Sequence, residues 1–178
     1  MYGLLRVSTG SGPKRPAGRR RETVNDTFQG GCYCGDIRFE VSDIFDAGYC
    51  HCSICRRLSG APAIVWASAP ARSFRLTQGS PSMFRSSENW ERYFCSTCGC
   101  GLFGRYRVPP TDQQDFVSFN PCILDDSEAV RPTVHIWYGS RISYFDPTDD
   151  LPRFPEGTIS HPSKRPAWRA PRRGGIRE

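Results

Sequence analysis

The sequence predicts a mostly β domain of short antiparallel strands, stapled by metal and laid out as two small sheets or a partly open barrel. Three observations carry that expectation. Apolar and polar residues alternate over short runs, with no long helical period. Gly, Pro, Asn and Asp punctuate nearly every gap between those runs. Seven of the nine cysteines fall into three tight clusters.

Taken in order, Ile37–Val41 alternates as a half-buried strand does, and Ala63–Ala67 is a continuous apolar run that predicts a buried central strand. Ser73–Leu76, Ser82–Arg85 and Glu91–Phe94 are the next strand candidates. Leu102-Phe103, Phe116–Phe119 and Val134–Trp137 follow the last cysteine pair.

The clusters read Cys32-Tyr33-Cys34, Cys50-His51-Cys52-Ser53-Ile54-Cys55 and Cys95-Ser96-Thr97-Cys98. Two clusters together supply four thiols, which closes a tetrahedral zinc site; three thiols leave one position open for water or substrate. A disulfide framework is the alternative. The odd cysteine count, the tightness of the clusters and the lack of an apolar leader in residues 1–12 argue against it and for a reducing, cytoplasmic setting. Gly30-Gly31 before the first pair and Gly35 and Gly99 after their cysteines suit zinc knuckles. Cys32 and Cys34 stand about 60 residues from Cys95 and Cys98, so a shared metal would close a long loop and act as a folding element. That argues for a structural zinc on these four cysteines, although spacing alone also permits the pairs to be exchanged.

Three thiolates from Cys50, Cys52 and Cys55 outweigh one Zn²⁺, giving a complex of net charge −1. Such a zinc activates water poorly; it suits holding an incoming thiol as thiolate and passing its sulfur to a carbon electrophile. The competing arrangement is a second structural site closed by Cys100, Cys122, His51, His135 or His161. His51, flanked by two ligands, is expected to point away, and Cys122 after Pro121 reads as a buried apolar thiol. The open site is the expectation carried forward.

The chain has 178 residues, enough for one domain with a core, and no stretch approaches the ~20 apolar residues of a membrane span. The net charge of +6 is carried by the ends: 1–27 is net +4, 164–178 net +5 and 28–163 net −3. The organisation expected is therefore a disordered basic tail over 1–27, a zinc-binding domain over 28–163 and a second disordered basic tail over 164–178. Weak, tail-mediated contact with polyanions is the extent of nucleic-acid binding expected.

Gly31-Cys32-x-Cys34-Gly35, Tyr49-Cys50-His51-Cys52-Ser53-x-Cys55-Arg56-Arg57-x-x-Gly60 and Phe94-Cys95-x-x-Cys98-Gly99 together resemble the glutathione-dependent formaldehyde-activating enzymes, a wider family that includes centromere protein V. The likeness continues through Ala61-Pro62, Trp66-Ala67-Ser68, Arg85–Glu88, His135-Ile136-Trp137 and Asp149–Pro152, spanning about residues 28–155. The resemblance implies an Mss4-like all-β zinc fold and two zinc ions. Cys32, Cys34, Cys95 and Cys98 would hold the structural ion, and Cys50, Cys52 and Cys55 the catalytic one. It further implies a carbon–sulfur lyase that condenses glutathione with formaldehyde to S-hydroxymethylglutathione. Cys100, directly after the last knuckle, and the basic tails depart from the family pattern.

Arg56 and Arg57 are candidates to receive the carboxylates of a glutathione-like ligand. His135 is a candidate proton shuttle or a structural strand residue, and Trp66 and Trp137 read as core. No phosphate-binding loop or nucleophile elbow is present. Two further readings stay open: the same site acting on another thiol or electrophile, and a non-catalytic zinc scaffold that meets a polyanion or protein partner through its tails.

Overall fold

The computed structural model describes residues 26–111 and 115–157. The expected tails, apart from Asp26 and Thr27, and His161 lie outside the described residues.

Ten strands and one short helix follow one another: β1 (Phe28–Gly31), β2 (Arg38–Val41), β3 (Asp46–Cys50), α1 (Ser53–Ser59), β4 (Ile64–Pro70), β5 (Phe74–Gln78), β6 (Ser82–Ser87), β7 (Trp90–Phe94), β8 (Gly101–Tyr106), β9 (Phe116–Phe119) and β10 (His135–Ile136). They form a three-stranded sheet, β1-β2-β5, and a seven-stranded sheet, β10-β3-β4-β9-β8-β7-β6. Every pairing is antiparallel except that of β10 with β3. The mostly β class is as the sequence predicts, and the second sheet is larger than expected. No described helix is long and apolar enough to cross a membrane.

Side chains alternate across a strand, so register sorts the large sheet into two faces. Ala47, Ala67 and Phe119 are matched across β3, β4 and β9, and with Ala69 they pack against Phe39 and Val41 of the small sheet. This is the main core, where the Phe39 and Phe74 rings stack 4.9 Å apart. The alanines let the two sheets approach closely. The opposite face carries Cys50 paired with Ile64, Gly48 with Trp66, Trp90 with Tyr106 and Arg92 with Phe84. That face is not covered by the small sheet and lines a cleft of about 920 Å³.

Two glycines keep backbone where no side chain fits. A Cβ on Gly48 would lie 2.7 Å from both Cγ1 and the carbonyl oxygen of Val134. A Cβ on Gly104 would lie 2.6 Å from Nε1 of Trp90, whose indole lies against β8.

β1 and β3 are absent from the strands the sequence predicts. Gly30-Gly31 reads as punctuation, and Asp46–Cys50 lacks a β-branched residue. Cys122 departs from its reading as well: a 3₁₀ turn at Pro121–Ile123 buries Pro121 and leaves Cys122 exposed, its N–H bound to Asn120 Oδ1 at 3.0 Å. Trp137 is 42% exposed, because a backbone φ of 55° turns it out of the strand.

Candidate functional site

The four thiols of Cys32, Cys34, Cys95 and Cys98 converge within 4.8 Å of one another. Cys32 and Cys34 lie in the turn between β1 and β2, and Cys95 and Cys98 in the turn between β7 and β8. Sγ of Cys34 is 3.5 Å from that of Cys32 and 3.7 Å from that of Cys95. A tetrahedron with metal–sulfur bonds of about 2.3 Å has edges of about 3.8 Å, so these separations fit a thiolate cage around zinc. They exceed a disulfide bond of about 2.05 Å, and all nine cysteines are free. Backbone N–H groups already favour thiolates here. Ile37 N–H donates to Cys32 Sγ at 3.3 Å, and the N–H groups of Cys100 and Cys34 pull the Cys98 thiol down to about 6. Gly99 supplies the left-handed residue of the knuckle, with φ of 75°.

The second cluster, Cys50, Cys52 and Cys55, likewise lies within 4.8 Å. Cys50 ends β3, while Cys52 caps α1 by accepting the Cys55 N–H at 3.3 Å. Gly60 closes the helix in the left-handed region. A seven-residue helix has little stability of its own; here it serves to turn Cys55 back towards Cys50. Thiols this close oppose joint ionisation. Contacts with Cys50 and Cys55 pull Cys52 down to about 2, and contacts with Cys52 and Cys55 push Cys50 up. A cation among them would remove that conflict.

Among the described residues no fourth ligand joins this trio. Cys100 lies on the side of the four-cysteine cluster, packed with Cys32 and Cys95. His51 points away from the thiols as expected, and its Nε2 meets His135 Nδ1 at 2.9 Å. His135 Nε2 lies 3.1 Å from each carboxylate oxygen of Asp149. Both imidazoles are fully buried, and burial, reinforced by His135 and nearby arginines, pushes His51 down.

Arg56 donates to the carbonyls of His51 and Ser140, each at 3.1 Å, while Arg57 is exposed, and the described lining of the cleft includes neither. The cation that does reach the trio is Arg92 of β7, which sequence reasoning missed. Its Nη2 donates to Cys55 Sγ at 3.6 Å and its Nε to Ser86 Oγ at 2.9 Å. Alternation within Trp90–Phe94 was the available signal, since it places Trp90, Arg92 and Phe94 on one face. Trp66, read as core, is buried but also lines the cleft, and its indole N–H has no hydrogen-bond partner among the described residues.

The sequence profile of the glutathione-dependent formaldehyde-activating enzymes matches residues 27–140. An uncharacterised lyase of Schizosaccharomyces pombe is 31% identical over 88 residues, covering 44% of this chain and 58% of that protein. A putative glutathione-dependent formaldehyde-activating enzyme of Emericella nidulans is 30% identical over 99 residues, covering 51% of this chain and 50% of its own length. The chain thus spans between half and three-fifths of the length of these relatives. A crystal structure of a Rhodobacter sphaeroides protein is 27% identical, with a TM-score of 0.47 over 58% of this chain and 91% of that one. With more than half of its length matched by the family profile, and both cysteine clusters assembled inside that span, the chain belongs to the glutathione-dependent formaldehyde-activating enzyme family.

Proposed function

We propose that this protein is a zinc-dependent carbon–sulfur lyase that interconverts a thiol and an aldehyde with their S-hydroxyalkyl adduct, glutathione and formaldehyde being the substrates the family name points to. The observation that carries this reading is the three-thiol cluster on the wall of an open cleft, without a fourth ligand among the described residues. Cys32, Cys34, Cys95 and Cys98 would hold a structural zinc. Cys50, Cys52 and Cys55 would hold a second, whose chemistry is to keep a substrate thiol ionised at neutral pH through its fourth position.

The chain's own groups then divide the remaining work. The Cys55 N–H and the Arg92 guanidinium offset the negative charge that three thiolates build up. The cleft face holds the aldehyde beside the sulfur, so that proximity accelerates an addition that already proceeds in water. Arg56, bridging the His51 and Ser140 carbonyls, fixes the segment from which Cys50 and Cys52 project.

The test is exchange NMR on glutathione, formaldehyde and their adduct, with the zinc-loaded protein and with Cys52→Ser. Interconversion faster with the wild type than with either buffer or the variant is expected. Equal rates in all three samples would exclude the reaction while leaving both metal clusters in place.

A further inference from the structure

We propose that the electrophile carries an aromatic or bulky apolar substituent, bound on the aromatic face of the cleft, with its carbonyl oxygen directed to Arg92. This deepens the reaction proposed above and rests on it.

Size is the first argument. A cleft of about 920 Å³ lies in the range of about 300–1,000 Å³ that accommodates drug-sized molecules, whereas formaldehyde has two heavy atoms. The lining is the second. Among the described residues that line the cleft, Arg92 is the one side chain with a fixed charge. Glutathione brings two carboxylates and an ammonium, and an apolar wall offers those groups no partner. Its body is therefore better accommodated towards the rim, which leaves the aromatic wall to the other reactant.

Register assembles that wall. Phe84 is matched with Arg92, Trp90 with Tyr106, and Phe94 follows on the same face as Arg92. The Phe84 and Phe94 rings meet edge to face at 5.9 Å, and Trp90 meets Tyr106 at 4.9 Å and 90°. Phe84 and Trp137, at the cleft margin, stay 37% and 42% exposed, apolar surface that a ligand would cover.

Arg92 supplies the third argument. Ser86 and Cys55 hold its guanidinium at the boundary between the thiol cluster and this wall, and no described carboxylate pairs with it. As the sulfur lone pair forms the C–S bond, the carbonyl π pair moves to oxygen, and that oxygen takes up a proton equivalent to the one the thiol released. A guanidinium N–H beside Cys55 donates to that oxygen as its charge develops.

Two stable analogues separate the terms. S-benzylglutathione lacks only the hydroxyl of the benzaldehyde adduct, and S-methylglutathione only that of the formaldehyde adduct. Calorimetric titration of the zinc-loaded full chain is expected to give at least tenfold tighter binding of the benzyl compound. Phe84→Ala, on an edge strand, should narrow that ratio to under threefold with S-methylglutathione binding unchanged. Arg92→Gln, checked for unchanged zinc content, should slow adduct exchange at least tenfold and leave S-benzylglutathione affinity within threefold. Equal affinities for the two thioethers, or undiminished exchange in Arg92→Gln, overturn the proposal. Cys52-dependent exchange with equal thioether affinities sinks this inference alone. A benzyl preference without Cys52-dependent exchange sinks the reaction and supports the aromatic site.

Discussion

Nε2 of His51 lies 2.9 Å from Nδ1 of His135, and this contact sets the tautomer of both rings. The Asp149 carboxylate accepts from His135 Nε2–H, which leaves His135 Nδ1 to accept from His51 Nε2–H. His51 Nδ1 is then a buried acceptor without a partner among the described residues, one residue from Cys50 and from Cys52. The chain of three runs from the protein surface to the backbone between Cys50 and Cys52 and holds that segment from behind.

Removal of the middle member should be costly. His135→Ala leaves the His51 Nε2–H buried without an acceptor, a loss of about 1–3 kcal/mol before any cavity cost. Urea denaturation of the metal-loaded proteins measures it, and an unchanged midpoint would refute the network.

Asp149→Asn tests the surface end. Burial alone would raise the Asp149 carboxyl, yet the Leu151 N–H, His135 and Arg153 together hold it below the usual carboxylate range. The unfolded chain therefore binds the proton more readily, so this contribution is complete above about pH 5 and is lost progressively as pH falls below it. The asparagine variant should be less stable at neutral pH and lose less between pH 5 and 3 than the wild type, as followed by circular dichroism.

The two clusters should respond differently to serine. Cys32→Ser removes one arm of a cage that joins distant segments and is expected to abolish soluble folded protein. Cys52→Ser keeps an oxygen able to cap α1 and should fold with its adduct exchange gone. Soluble yield and thermal melting decide this; equal collapse of both variants would contradict the division of roles.

Cys100→Ser is expected to leave the zinc content unchanged, because Cys100 belongs to neither ligand group. Loss of one equivalent, measured by elemental analysis, would reassign it as a ligand.

Gly48→Ala should destabilise by about 1–3 kcal/mol, since its new methyl meets Val134 at 2.7 Å and β10 flanks the same strand. A denaturation midpoint equal to the wild type would show that the strand can move aside.

Much of this architecture is legible in the chain itself. Phe116–Phe119 coincides with its predicted strand, and Ala63–Ala67 overlaps the first half of β4, whose buried residues run on from Trp66 to Pro70. Both cysteine groups assemble with the memberships the family resemblance implies, one of the arrangements that spacing alone permits. What escaped depends on pairing between distant segments. Gly30 sits in β1 because the Phe39 ring of β2 passes within 2.6 Å of where its Cβ would be, a constraint invisible in Gly30-Gly31. Arg92 meets Cys55 across 37 residues, and only the order β4-β9-β8-β7 curves it towards the cluster. Arg56 and Arg57 drew attention through adjacency, yet helical geometry directs Arg56 to backbone carbonyls.

The four-cysteine cage has a consequence for the living cell. It ties the β1–β2 hairpin of one sheet to the β7–β8 hairpin of the other, so binding free energy at that point is also free energy of assembling the whole sandwich. With zinc as the bound ion, the stability of the folded chain would rise with the logarithm of available zinc. Under scarcity the unfolded chain, open to proteolysis, grows at the expense of the native one. The amount of a zinc-bound protein of this kind in the cell would then be a gauge of its zinc supply.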